Sequence, residues 1–125
     1  AIRELSTPVL EVWDDVLVMP IMGTVDIPRC ADIMSNLLQA VASSRARCVI
    51  LDLTGVPSID RSAADGLIKV VQGARLLGAR CLLTGLSPAL SRTLAELDAP
   101  TETLRTLRNL KAGLRDAIAH LRPGK

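Results

Sequence analysis

Residues 47–77 read R-C-V-I-L-D-L-T-G-V-P-S-I-D-R-S-A-A-D-G-L-I-K-V-V-Q-G-A-R-L-L, and the fold turns on them. Residues 48–53 form an apolar run rich in β-branched side chains, short enough to be a strand buried on both faces. Thr54, Gly55 and Pro57 then punctuate the chain, and Pro57 lacks the N–H that a sheet ladder needs. After Asp60 the apolar period changes from that of a strand to that of a helix. Ala63, Leu67, Val70, Val71, Ala74 and Leu77 fall on one stripe of a helix of about four and a half turns. A buried strand thus delivers a short polar segment to a helix N-terminus. Unpaired N–H groups and the positive dipole end suit that place to an anionic group, or to a side chain that will become one.

On the N-terminal side, residues 9–13 and 16–22 are two extended runs joined by Asp14-Asp15, a two-residue hairpin link. Gly23 closes the second run. Asp26 caps a following helix with Pro28 in its first turn, an apolar stripe of Ala31, Met34, Leu37, Leu38 and Val41, and Ser43-Ser44 at its end. On the C-terminal side, Gly78 stops the second helix, residues 81–83 are a fourth strand, and Thr84-Gly85 is its exit. Ser87 before Pro88 signals a third helix from 88 to about 97. Ala99-Pro100 breaks the chain, and a short fifth strand falls near residues 103–104. Leu107, Leu110, Leu114, Ile118 and Leu121 mark an amphipathic last helix over 106–121. The expected fold is α/β, a mostly parallel sheet with an antiparallel edge strand and about four helices. Right-handed crossovers place the loops after the third and fourth strands at the same, carboxyl end of the sheet.

Composition excludes several functions. The 125 residues suit one domain, and 49% hydrophobic with 22% charged residues excludes disorder. A formal net charge of +2 does not point to a nucleic-acid or membrane surface. With no Phe, no Tyr and a single Trp13, there is no stacking platform for bases and the core must be aliphatic. No apolar run approaches the ~20 residues of a membrane span, and no signal peptide is visible, so no membrane partner is expected. Cys30, Cys48 and Cys81 are odd in number and form no C-x-x-C pair, as expected of reduced cysteines in a cytoplasmic protein. His120 is the single histidine and lies in a polar tail, which argues against a metal site and against Ser-His-Asp or Cys-His catalysis. Both phosphate-binding glycine fingerprints are absent. The reading is therefore of a chain without catalytic residues, metal or cofactor.

The polar residues near the switch segment have ordinary structural uses. Asp52, Asp60 and Asp65 fit strand ends and helix caps better than an acid/base pair. Ser62 with Asp65 fits a capping box, Asp60 is a rival cap, and the sequence does not choose between them. Arg61 is unfavourable beside the positive end of a helix dipole, so Arg61→Thr should raise stability by about 0.3–1 kcal/mol. Arg75 and Arg80 read as solvated ends.

D-L-T-G-V-P-S-I-D, an amphipathic helix, then C-L-L-T-G-L-S-P-A-L-S-R-T-L resembles the STAS domain of anti-sigma-factor antagonists. The opening T-P-V-L-E-V-W-D-D-V-L-V-M-P-I-M-G-T-V-D resembles in particular the C-terminal domain of RsbR-type stressosome scaffolds. The resemblance runs from about residue 6 to 121. It implies a non-enzymatic partner-switching module that binds a Ser/Thr kinase of the anti-sigma-factor type and related STAS proteins, and that self-associates. It also implies a single STAS domain over 1–125, taken from the C-terminal part of a longer protein with an N-terminal sensor region. The partner surface it implies comprises Gly55, Pro57, Ser58, Asp60, Arg61, Ser62 and Asp65. In the family the residue after the loop Asp is the phosphorylated Ser or Thr. Here it is Arg61, which cannot accept phosphate. Ser62 is adjacent but turned by about 100° along the helix, and Thr93 matches the second family position. Thr93 reads equally as an exposed helical threonine without a role. A small-ligand- or nucleotide-binding α/β domain using the same loops is the alternative.

Overall fold

A computed structural model describes residues 8–97 and 104–121. Strands β1 (Leu10–Trp13) and β2 (Val16–Met22) make the expected hairpin, with Asp15 in the left-handed region at φ 65°. Next come α1 (Ile27–Ser44), β3 (Cys48–Gly55), α2 (Arg61–Leu76) and β4 (Arg80–Thr84). The chain continues with α3 (Pro88–Ala95), β5 (Arg105–Leu107) and α4 (Leu110–Leu121). The five strands lie in sequential order, β1 antiparallel to β2 and every other neighbouring pair parallel. The α/β architecture is thus a mostly parallel sheet with an antiparallel edge strand and four helices.

Strand β3 is central, and its alternate side chains enter two different cores. Val49, Leu51 and Leu53 meet Leu37 of α1, Leu67 and Val71 of α2 and Leu90 of α3. Cys48 and Ile50 turn the other way, joining Val16, Val18 and Leu82 beneath Ala117 of α4. Parallel register sets Ile50 beside Val18 and Leu82, and Leu51 beside Met19 and Leu83. All three cysteines are free and buried. Burial pushes the Cys48 thiol up to about 11 and that of Cys81 up to about 12. Both therefore stay protonated at neutral pH, as small apolar groups.

Three expectations about elements are corrected. On α1 the sheet-facing stripe is Cys30, Ile33, Leu37 and Val41, while Ala31 is exposed. Met34 and Leu38 instead lie against Gly73 of α2, because this helix packs on two neighbours and its apolar arc is wide. The fifth strand is Arg105–Leu107, two residues beyond the expected place. Thr103 lies outside the described residues, as do Ala99 and Pro100. The last helix starts at Leu110 because Asn109 caps it, its Oδ1 accepting from Ala112 N–H at 2.8 Å.

Arg80 is also not a solvated end, and His120 lies in the last turn of α4 and not in a tail. Asp116 of α4, with 11% of its side chain exposed, accepts hydrogen bonds from Arg80 of β4 (3.3 Å) and Arg105 of β5 (2.9 Å). His120 lies one turn on, its Nδ1 3.6 Å from an Asp116 carboxylate oxygen. Burial opposes ionisation of Asp116. The Arg105 hydrogen bond and the charges of Arg105, His120 and Arg80 together outweigh it and hold the carboxyl below its ordinary value. A carboxyl with a depressed folded-state pKa contributes stability above its unfolded pKa of about 3.9 and loses it as pH falls through the folded value. Asp116→Asn is expected to lower the melting temperature at pH 7, with the gap to the parent closing as pH drops below about 4. A gap that is the same at pH 7 and pH 3 would show that the ion cluster does not fasten α4 to the sheet.

Candidate functional site

The carboxyl end of the sheet gathers three helix N-termini, and each is capped by a side chain of its own segment. Asp26 Oδ1 accepts from Arg29 N–H at 2.9 Å to start α1. Asp60 Oδ1 accepts from Ala63 N–H at 2.8 Å to start α2, while its carbonyl takes Ala64 N–H. Ser87 Oγ accepts from Leu90 N–H at 3.0 Å to start α3. The choice between caps for α2 is therefore settled in favour of Asp60. Ser62 lies inside the first turn, exposed, and Asp65 pairs with Lys69 at 3.4 Å instead of completing a capping box.

Three further hydrogen bonds hold the loop after β3. The Ser87 hydroxyl, besides capping α3, donates to the Pro57 carbonyl at 2.7 Å and so ties the loop after β3 to the loop after β4. Beneath them, Asp52 Oδ1 accepts from the hydroxyls of Thr54 (2.9 Å) and Thr84 (2.8 Å). The Asp52 carboxylate is thus used to join adjacent strand ends. Gly85, at φ +74°, passes so close to Thr54 that a Cβ there would collide with it. Gly55 lies under the Met22 side chain, where a Cβ would meet Met22 Cγ at 2.7 Å.

The surface that results has an open groove of about 770 Å³ between α1 and α2. Ile27 and Met34 form part of the α1 wall, and Ser62, Asp65 and Lys69 part of the α2 wall. Arg61 and Leu97 also line it, bringing the end of the α3 segment to the start of α2. Of the residues expected at the partner surface, Arg61, Ser62 and Asp65 thus share one groove. Gly55, Pro57, Ser58 and Asp60 do not line it and lie exposed from the end of β3 to the start of α2. Thr93 is half-buried on α3, its hydroxyl donating to the Ala89 carbonyl at 3.1 Å, the usual helical use of threonine. Met22 and Ile27, 67% and 61% exposed, were not visible as surface residues in the sequence. Nothing local marks Ile27 as exposed, since at 100° per residue it falls on the same arc as Met34 and Leu38.

Arg61 does have a structural partner. Its guanidinium lies 3.5 Å from the carbonyl of Glu96, the cap residue at the end of α3. A cation there is unfavourable for the dipole of α2 and favourable for that of α3. The stability gain expected of Arg61→Thr is therefore offset.

Among the described residues no cluster of three or more His, Cys, Asp or Glu side chains could hold a metal ion. Likewise no described helix is long and apolar enough to cross a membrane. Comparison with known proteins gives the site its context. The family model of the STAS domain matches residues 7–113. The RsbT co-antagonist protein RsbRA of Bacillus subtilis is 37% identical over 118 residues. The match covers 94% of this chain and 43% of that protein, so the chain spans less than half of its relative's length. A solved RsbS variant from Moorella thermoacetica superposes with TM-score 0.77 at 28% identity, covering 92% of this chain and 98% of that one. A chain from a structure described as the molecular architecture of the stressosome, a signal integration and transduction hub, gives TM-score 0.77 at 26% identity. It covers 93% of this chain and all of that one.

Because Ser87 both caps α3 and holds Pro57, Ser87→Ala should cost about 1–2 kcal/mol in denaturant melts. Amide exchange should rise in α3 and in residues 56–60 before it rises in α1. Unchanged exchange in residues 56–60 would show that the loop is held without this bond.

Proposed function

This chain belongs to the STAS domain family, and on that premise we propose that it is a non-enzymatic, cytoplasmic interaction module of a partner-switching stress or sigma-factor pathway. Its loop–helix surface from Gly55 to Asp65 docks a Ser/Thr kinase of the anti-sigma-factor type, and phosphorylation of the domain controls that contact. The observation that carries this reading is a rigid, capped loop ending in a groove and flanked by exposed Met22 and Ile27. Apolar side chains left at a rim beside fixed charges are the makings of a protein interface. A relative named as a co-antagonist of RsbT supports a protein partner, and a match to a stressosome chain supports assembly with other STAS proteins.

Two hydroxyls are candidates for modification, Ser62 at the start of α2 and Thr93 on α3, and the family position ranks them. A phosphate on Ser62 would meet the carboxylates of Asp60 and Asp65 but also the adjacent Arg61 and the positive end of the α2 dipole, so charge alone does not rank it. Thr93 lies on α3 beside Arg92 and at the family position. A phosphate adds ≈ −1.5 to −2 charge, enough at an interface to change affinity by a few kcal/mol. A kinase of this type is expected to label Thr93 in preference to Ser62, read by phosphopeptide mapping. Labelling confined to Ser62 would reverse the ranking.

The groove also favours a second reading, since about 770 Å³ is the size of a small-molecule site. The two readings part in one pair of measurements, a kinase pull-down and a ligand screen by thermal shift. Ligand stabilisation without kinase capture would overturn the interaction module. Self-association is tested by sedimentation, where a dimer or larger species is expected; a monomer up to high micromolar concentration would count against assembly through this domain.

A further inference from the structure

The two flanks of α3 face different neighbours. Ser91, Leu94 and Ala95 line a cleft with Leu104 and Thr106, on the β5 side. Leu97 lines the groove with Arg61, Ser62 and Asp65, on the α2 side. At about 100° per residue, Thr93 lies some 160° from Ser91 and Ala95 around the axis of α3, on its opposite flank. It therefore belongs to the flank that faces α2, one turn before Leu97. On that side the Arg61 guanidinium already reaches over the end of α3, 3.5 Å from the Glu96 carbonyl.

We infer that Arg61 is the receptor for a phosphate carried on Thr93, so that modification latches α3 to the start of α2. The inference rests on the reading of Thr93 as a modification site and adds what the phosphate does there. Phosphorylation joins the γ-phosphorus of a nucleoside triphosphate to Thr93 Oγ1 and breaks its bond to the β–γ bridging oxygen. The nucleoside diphosphate leaves, and the hydroxyl proton passes to a base of the kinase. The ester oxygen then has no hydrogen for the Ala89 carbonyl, so the bond that now holds Thr93 is lost. The doubly charged group needs a new partner. Arg61 exchanges a long contact to a neutral carbonyl for a planar, two-bond pair with phosphate, the geometry guanidinium suits best. Arg92 beside Thr93 adds attraction. The carboxylates of Glu96 on α3 and of Asp60 and Asp65 on α2, with the negative end of the α3 dipole, oppose it, and the Arg61 pair has to outweigh them. A hydroxyl residue at position 61 could not serve in this way, which gives the departure from the family pattern a use. The latch closes the end of the groove that Leu97 and Arg61 share.

The test installs phosphothreonine at position 93 by semisynthesis, so that no kinase is needed. Phosphorus NMR titrations and thermal melts then compare the parent, Arg61→Gln and Arg61→Lys. In the parent the second phosphate ionisation should fall below its free value of about 6, and the phosphoprotein should melt above its unmodified form. Both effects should vanish in Arg61→Gln and return in part in Arg61→Lys. Titration curves that coincide in the parent and Arg61→Gln would overturn the latch. Failure of the kinase to label Thr93 in the parent is a separate result and strikes the switch reading instead.

Discussion

Strand β3 has no face for water, and most of the architecture follows from that. A strand apolar on both sides has to be covered on both, and its neighbours have to be parallel strands reached by helical crossovers. Val49, Leu51 and Leu53 are therefore covered by α1, α2 and α3 while Cys48 and Ile50 are covered by α4. The cover on the second side is thin, a single helix, and it is there that the ion cluster around Asp116 is found. Two arginines from β4 and β5 hold one carboxylate of α4, so the helix is fastened by charge where its apolar stripe is short.

Burying β3 also dictates where chemistry can be presented. The strand ends must emerge at one edge of the sheet, and the loops leaving them carry backbone groups that no ladder satisfies. Asp60 and Ser87 meet those needs at the helix starts, and Ser87 supplies the Pro57 carbonyl as well. Residues 57–60 are consequently held from both sides over the buried Val56 while Pro57, Ser58 and Asp60 stay exposed. A loop so fixed loses little further entropy when a partner docks, which is what a repeatedly formed and broken interface requires.

The parts of this arrangement that could be read in the chain are those with local causes. The apolar run at 48–53, the change of period after Asp60, the Asp14-Asp15 link and the Ser87-Pro88 start all act within a few residues, and each stands where expected. What escaped reading depends on distant partners. Arg105–Leu107 is a strand because β4 offers an open edge, and nothing in R-T-L itself demands it. Met34 leaves the sheet-facing stripe because Gly73, far along the chain, makes room beside α2. Arg80 looked solvated because Asp116 lies 36 residues away. Between β3 and α2, the strand end and the helix start were legible and the choice of cap was not. Ser62 and Asp60 satisfy the same local rule, and only the geometry shows which oxygen reaches the Ala63 N–H.

Arg61 shows why a departure from a family pattern need not be a defect. Viewed along α2 alone, a fixed cation at the first helical position is a small destabilisation. Viewed across α2 and α3 together, the same guanidinium lies at the positive end of one dipole and the negative end of another. Two effects of about 0.3–1 kcal/mol with opposite sign leave the fold nearly indifferent to the charge. A residue to which stability is indifferent is free to be set by the surface it faces. That surface is the shared end of the α1–α2 groove, which Arg61 lines together with Leu97 from beyond the end of α3.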